Sequence, residues 1–186
     1  GAVFRPPSEA RSLILQATIG CSHNKCTFCV TYLDKEFRIK SFDEIESDVN
    51  TVLPHYRNAK RIFLADGNAL MMSTEDLVKI LRILSEKFQK LERGGIYAGP
   101  QDILRKTVSE LKELKSQGLG IRNIGLESGS DAILKKIKKG VKSKHMIQAA
   151  QRVKEAEITL SAIFILGLGG KGNTKEHAKE TAKVLS

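Results

Sequence analysis

Cys21, Cys26 and Cys29 fall within nine residues, and the 186-residue chain contains no other cysteine. Thiolates are soft ligands that suit iron–sulfur clusters and zinc. A closed structural metal site takes four ligands. Three thiolates on a four-iron cluster leave one iron open to bind and activate a small molecule. Two rivals use the same residues. Zinc with His23 as fourth ligand crowds four donors into one loop, whereas zinc sites usually draw on two separated pairs. A redox dithiol at Cys26-Thr27-Phe28-Cys29 leaves Cys21 without a task. The cysteine count favours the cluster.

Strand and helix signals alternate along the chain. Leu13 to Ile19 is a near-continuous apolar run, as in a buried strand. Phe42, Ile45, Val49 and Val52 follow at helical spacing behind a Ser41–Glu44 capping box. Arg61 to Ala65 reads as a second strand, and Leu77 to Phe88 as a helix capped at Ser73 or Thr74. Gly95 to Ala98 is a third strand. One helix is expected from Ile103 to Leu114, stopping near Gly118. Arg122 to Leu126 is a fourth strand, and a short helix from Asp131 is expected to end at Gly140. A helix from about Ser143 to Ala156 precedes a fifth strand, Ile158 to Leu166. Asn173 with Glu176 signals a last capping box. The pattern implies an α/β fold of parallel βα units, either a doubly wound sheet or an open TIM-type barrel. The unusual residues all follow strands, on the face where parallel α/β folds place their sites.

The composition is that of an ordinary globular domain, with 41% hydrophobic and 28% charged residues. No apolar run approaches the roughly 20 residues that span a bilayer, and the stretch Gly1 to Pro7 lacks a signal-peptide core. An odd, tightly spaced cysteine set argues for a reducing cytoplasm rather than a disulfide framework. The net charge is +10. Lys135, Lys136, Lys138, Lys139, Lys142 and Lys144 contribute much of it. Without interleaved aromatics they read as a solvated helix face rather than a nucleic-acid site. His55, His145 and His177 fall in helices or at their ends and read as surface residues.

At its cysteines the chain resembles the radical S-adenosylmethionine (SAM) superfamily. Members typically carry Cys-x3-Cys-x-aromatic-Cys after the first strand of a partial barrel. Here the pattern is Cys21-x4-Cys26-x-Phe28-Cys29, with one extra residue in the first gap. The stretch from Arg5-Pro6-Pro7 to Phe37-Arg38 resembles oxygen-independent coproporphyrinogen oxidase-like members. The resemblance implies that Cys21, Cys26 and Cys29 bind a 4Fe-4S cluster and that Phe28 lies beside the adenine of SAM. Asp66-Gly67-Asn68 stands where the family has a Gly-Gly-Glu segment that holds the methionine amino group. Gly67 fits, and Asn68 offers a carbonyl acceptor without charge; the same residues also suit a plain turn. Gly125 to Ser130 resembles the fourth-strand segment that meets the ribose, with Glu127 suited to accept from both hydroxyls. Ser128 or Ser130 also suits a helix cap. Ile165 and Gly167 match the element that backs the adenine.

Gly167-x-Gly169-x-x-Gly172 also fits a dinucleotide-binding fingerprint, but only 14 residues follow Gly172, too few for the strand and acidic residue it needs. Gln101, Asp102, Arg105 and Tyr97 sit where they could touch cofactor or substrate, or serve only as a helix start and packing. The reaction implied is reductive cleavage of SAM to a 5′-deoxyadenosyl radical that abstracts a substrate hydrogen, with no catalytic side chain assigned. A flavodoxin- or ferredoxin-type one-electron donor is implied as partner, and the positive charge tilts the substrate toward an anion. Family cores have six βα units and this chain shows five. We therefore expect residues 1–186 to be one core domain cut short at its C-terminus, with a dimer across the open barrel edge. The rivals from other classes are a non-catalytic iron–sulfur electron carrier and a zinc-stabilised nucleic-acid-binding module.

Overall fold

The computed structural model describes residues 3–186, so Gly1 and Ala2 lie outside the described residues. Strands β1 (Leu13–Gln16), β4 (Arg61–Ala65), β5 (Arg93–Ala98), β6 (Leu119–Glu127) and β7 (Ala162–Phe164) form one parallel sheet in the order β1-β4-β5-β6-β7. Strands β2 (Thr18–Ile19) and β3 (Arg38–Ile39) form a separate two-residue antiparallel ladder. The sheet does not close on itself among the described residues. It is the open barrel of the two architectures expected, with each unit crossing over in sequence order.

Helices α1 (Phe42–Tyr56), α2 (Thr74–Lys87), α4 (Val108–Ser116), α6 (Ser143–Glu155) and α7 (Thr174–Leu185) pack side by side on the outside. Two short helices, α3 (Pro100–Leu104) and α5 (Asp131–Lys136), lie at the C-terminal ends of β5 and β6. The main core lies between sheet and helices. Ile62 and Leu64 from β4, Ile96 from β5, and Leu77, Ile80, Leu81 and Leu84 from α2 are fully buried there. Each such side chain contributes roughly 1.5–3 kcal/mol by leaving water. The opposite end of the barrel interior is plugged by Glu9, whose carboxylate pairs with Arg93 at 2.7 Å and also accepts from Ser12 Oγ.

Several sequence expectations shift. The expected helix from Ile103 to Leu114 is two helices, because Thr107 and Glu110 form a capping box that starts α4 afresh. The run Ile158 to Leu166 yields only a three-residue strand. Glu157, at φ +55°, ends α6 in a Schellman turn, with Ile158 N donating to Val153 O at 3.0 Å. Ile158 is therefore spent on the main core rather than on the sheet. The helix from Asp131 stops at a similar turn, Lys138 at φ +55° and Lys139 N donating to Leu134 O, before Gly140 is reached. The Asn173–Glu176 box does not form: Glu176 Oε1 accepts from Ser130 Oγ at 2.5 Å instead. His177 is buried, not on the surface, and bridges Ser128 Oγ and the Ile165 carbonyl at 2.8 and 2.9 Å.

Candidate functional site

The loop after β2 carries the cysteines, and a buried carboxylate holds its base. Asp66 Oδ2 accepts from Lys35 Nζ at 2.9 Å, Gln16 Nε2 at 3.1 Å and Gly20 N at 3.2 Å. Gly67 N donates to Gly20 O at 3.0 Å. One acid from the end of β4 thus fixes both ends of the loop, and a charged acceptor makes each of these bonds stronger than a neutral one. Further along, His23 Nε2 donates to Lys138 O at 2.7 Å and Thr27 N to Ile137 O at 3.0 Å, which docks the loop on the turn after α5.

Gly67 and Gly140 allow these close approaches. A Cβ on Gly67 would stand 2.8 Å from both Cys21 Cβ and Tyr32 Cε2, and one on Gly140 would stand 2.7 Å from His23 Cε1. The sequence offers Gly140 as a helix stop, but its place against the cysteine loop is what demands glycine, together with its φ of +78°.

All three cysteines line one cavity of about 370 Å³ at the C-terminal ends of the strands, within the usual range for a small-molecule site. Phe28, Gly67, Asn68 and Glu127 line it with them, as do Tyr97, Gln101, Asp102 and Arg105. Burial pushes the Cys26 thiol above its ordinary value; Lys139 pulls it down, while Cys21, Cys29 and Glu127 push it up. Tyr97 is pushed up to about 12 by burial and by Glu9, so it stays a neutral hydroxyl.

Four residues singled out from the sequence are not part of the cavity lining. Asp66 is fully buried in the loop anchor. Ser128 is bonded to His177 and to Ser130 N. Ile165 ties down the last strand, with its N donating to Glu127 O at 3.2 Å and its carbonyl accepting from His177. Gly167, at φ +80°, lies exposed in the turn beyond β7. Ile163, two residues earlier than Ile165, is the side chain of β7 that lines the cavity.

Lys139 is the residue that sequence reasoning misplaced. It lies in a lysine run with no periodic signal, but the turn at Lys138 aims it inward. Its Nζ meets Glu127 Oε1 at 2.9 Å in the cavity wall. The pair folds over Gly125, where a Cβ would stand 2.4 Å from that oxygen. Glu127 takes a left-handed φ of +61° to do this, a conformation costly for a non-glycine residue.

The donor set fits a 4Fe-4S cluster. Three free thiols face one cavity beside a glycine that keeps the wall clear. Among the described residues no group of three His, Cys, Asp or Glu converges as a single metal ion requires. His23 Nε2 is spent on Lys138 O, on the turn after α5.

A parallel βα half-barrel with a three-cysteine loop at its strand ends defines a class, and comparison with known proteins names it. Residues 15–185 match the radical SAM superfamily. The chain belongs to that superfamily, whose enzymes use a 4Fe-4S cluster and SAM. It is similar to a putative methylthiotransferase of Methanocaldococcus jannaschii, 24% identical over 152 residues, covering 79% of this chain and 33% of that protein. It is also similar to the heme chaperone HemW of Bacillus subtilis, 24% identical over 174 residues, covering 89% and 45%. Among solved structures, coproporphyrinogen III oxidase from Escherichia coli superposes with a TM-score of 0.67 at 15% identity, over 93% of this chain and 41% of that one. The chain thus spans between a third and a half of the length of these curated relatives. No helix among the described residues is long and apolar enough to cross a membrane.

Proposed function

We propose that this chain is the core of a radical SAM enzyme in which Cys21, Cys26 and Cys29 hold the cluster and the cavity beside them takes SAM. The observation that carries this reading is that one cavity joins the three cysteines to Phe28, Gly67, Asn68 and Glu127 from three separate strand ends. A non-catalytic electron carrier needs the thiols but not that cavity. When bound, the cluster and SAM supply one-electron cleavage to a 5′-deoxyadenosyl radical, which takes a hydrogen atom from substrate.

The protein's own residues bind, orient and exclude water. Phe28 offers an aromatic wall for adenine. Glu127, steadied by Lys139, keeps a second oxygen for the ribose hydroxyls. Asp66, Ser128 and Ile165 act from behind, holding the loop, the β6 end and the last strand in place, and Gly167 makes the turn beyond β7.

The electron comes from an acidic donor of flavodoxin or ferredoxin type. Lys25, Lys135, Lys138 and Lys142 line a groove next to the cysteine loop, none of them paired with an acid among the described residues. Such a basic patch, which Asp131 offsets only in part, attracts an acidic protein and speeds its encounter. A cytoplasmic location is our reading of the odd, tightly spaced cysteine set, which suits a reducing compartment. Phe164 and Leu166, exposed on and just past β7, offer a dimer surface at the open edge. Anaerobic reconstitution tests the enzymatic reading. Protein loaded with iron and sulfide, then reduced with dithionite, is expected to convert SAM to 5′-deoxyadenosine detectable by liquid chromatography. Loading without any 5′-deoxyadenosine would favour the electron carrier.

A further inference from the structure

The gap between Cys21 and Cys26 holds Ser22-His23-Asn24-Lys25, one residue more than the family pattern. The extra length is built in and not left slack. Asn24 takes a left-handed φ of +38°, and its Nδ2 donates to Tyr32 O at 2.8 Å. Asparagine is among the few side chains that suit such a turn. On one side of the turn, His23 reaches across to the segment after α5. Its Nε2 donates to Lys138 O, and its ring lies so near Gly140 that a Cβ there would stand 2.7 Å from Cε1. On the other side, Lys25 is exposed.

This placement gives the loop two faces. The cavity of the cysteines lies on one, and a groove of about 760 Å³ on the other. Among the described residues His23 alone lines both, so it is the wall between them. Lys25 from the loop and Lys138 from the opposite turn face each other across the groove, above a floor that includes the buried Leu134 and Val141. Asp131, the one acid in the lining, is occupied in accepting from Ser143 N at 2.7 Å. An apolar floor ringed by cations suits the surface of an acidic protein.

Electron transfer falls steeply with distance, so a donor protein must seat where least protein separates it from the cysteines. Resting on the reading of the three cysteines as a cluster site, we propose that the gap between Cys21 and Cys26 is the docking element for an acidic one-electron carrier protein, and that the electron crosses at His23. Lys25 and Lys138 seat the carrier from the two sides of the groove. The carrier gives up one electron and is oxidised; the cluster gains that electron, with no bond formed or broken. The extra residue in the gap thereby has a task. It carries His23 over to Gly140 and leaves Lys25 facing the groove.

Anaerobic stopped-flow reduction of cluster-loaded protein by reduced flavodoxin, followed by the cluster's visible absorbance and taken per loaded cluster, tests both parts. For docking, flavodoxin is kept limiting at low salt. Lys25→Glu with Lys138→Glu is expected to slow the second-order rate by roughly 10-fold or more and to flatten its dependence on ionic strength. Lys112→Glu with Lys154→Glu makes the same change in net charge on exposed helix positions outside the groove. That pair is expected to slow the rate far less. For the crossing, flavodoxin is saturating. His23→Ala is expected to lower the limiting rate several-fold, and His23→Phe, which keeps a ring against Gly140, to restore most of it. Reduction by dithionite at high salt, which needs no docked protein, is expected to match wild type throughout. Equal slowing by the two lysine pairs would overturn the docking site. An unaltered limiting rate in His23→Ala would overturn the crossing, as would an equal slowing with dithionite, which marks a structural residue. Loaded wild-type protein that flavodoxin does not reduce overturns the proposal alone. Protein that takes up no iron and sulfide overturns the cluster reading and the proposal with it.

Discussion

The two flanks of the cavity are built in different ways. On the β1 side the cysteine loop hangs from one ion-paired carboxylate, with Asp66 gathering Lys35, Gln16 and Gly20 beneath residues that must also admit a cofactor. On the β7 side the strand is three residues long, and α7 is fastened to the β6 end by hydrogen bonds without an ion pair. Ser128 meets His177, Gly129 N donates to Thr181 Oγ1 at 3.0 Å, and Ser130 donates to Glu176. The charged anchor holds a loop that has little core of its own. The latch, which has no ion pair, holds a helix against a small second cluster of Leu126, Ile133, Leu134, Ile137, Val141 and Met146. Charge is spent where the backbone must be held open around a ligand, and packing where it need only be covered.

The two flanks should therefore break differently. The largest expected effect is at the latch. A Cβ on Gly129 would stand 2.1 Å from the Glu180 carbonyl oxygen, so Gly129→Ala must push helix backbone away. We expect a loss of about 3 kcal/mol or more, seen as a fall in Tm, with iron loading of the folded fraction retained. Gly67→Ala should cost less stability, roughly 1–3 kcal/mol, because a side-chain ring and a loop are what must shift. It should nonetheless lower iron content, since the displaced residue is Cys21. Equal iron loss in both variants would erase the distinction between the flanks.

Asp102→Asn gives a smaller and opposite effect. Burial raises the Asp102 carboxyl above its usual range, with bonds from Gly99 and Asn68 and the charges of Arg105 and Lys106 only partly offsetting it. A raised folded value means the native state binds the extra proton first. Wild-type stability therefore gains as pH falls from the raised value toward the ordinary value of about 3.9. The uncharged variant should melt a few degrees higher near neutral pH, and the gap should close as pH falls through that window. Thermal melts of ligand-free protein at a series of pH values measure both.

The smallest effect is kinetic. Burial holds the Cys26 thiol above its ordinary value, and only the thiolate is nucleophilic. In metal-free protein, alkylation followed by mass spectrometry should show the Cys26 rate still rising at pH values where that of an ordinary exposed thiol has levelled off. Lys139→Met should slow it further by removing the cation that pulls the value down.

The architecture was legible where local signals agreed with packing. The Ser41 and Ser73 caps, the RIFLA strand and the amphipathic faces of α1 and α2 read directly from residue types. The breaks were not, because two depend on non-glycine residues in left-handed turns, Lys138 and Glu157, that composition does not announce. At the site, the cysteines and Glu127 were visible as types at strand ends. Lys139 was hidden in a lysine run. Asp102 was visible as a helix start that could also touch cofactor or substrate, but its lack of an ion pair among the described residues emerges only once the partners of the other buried acids are known.

The central claim is that the three cysteines hold a cluster whose open iron faces a SAM-binding cavity. Electron paramagnetic resonance of the dithionite-reduced, reconstituted protein, with and without SAM, tests it most directly. The account predicts a 4Fe-4S signal that changes on adding SAM. A reduced 4Fe-4S signal that stays the same at saturating SAM would contradict it.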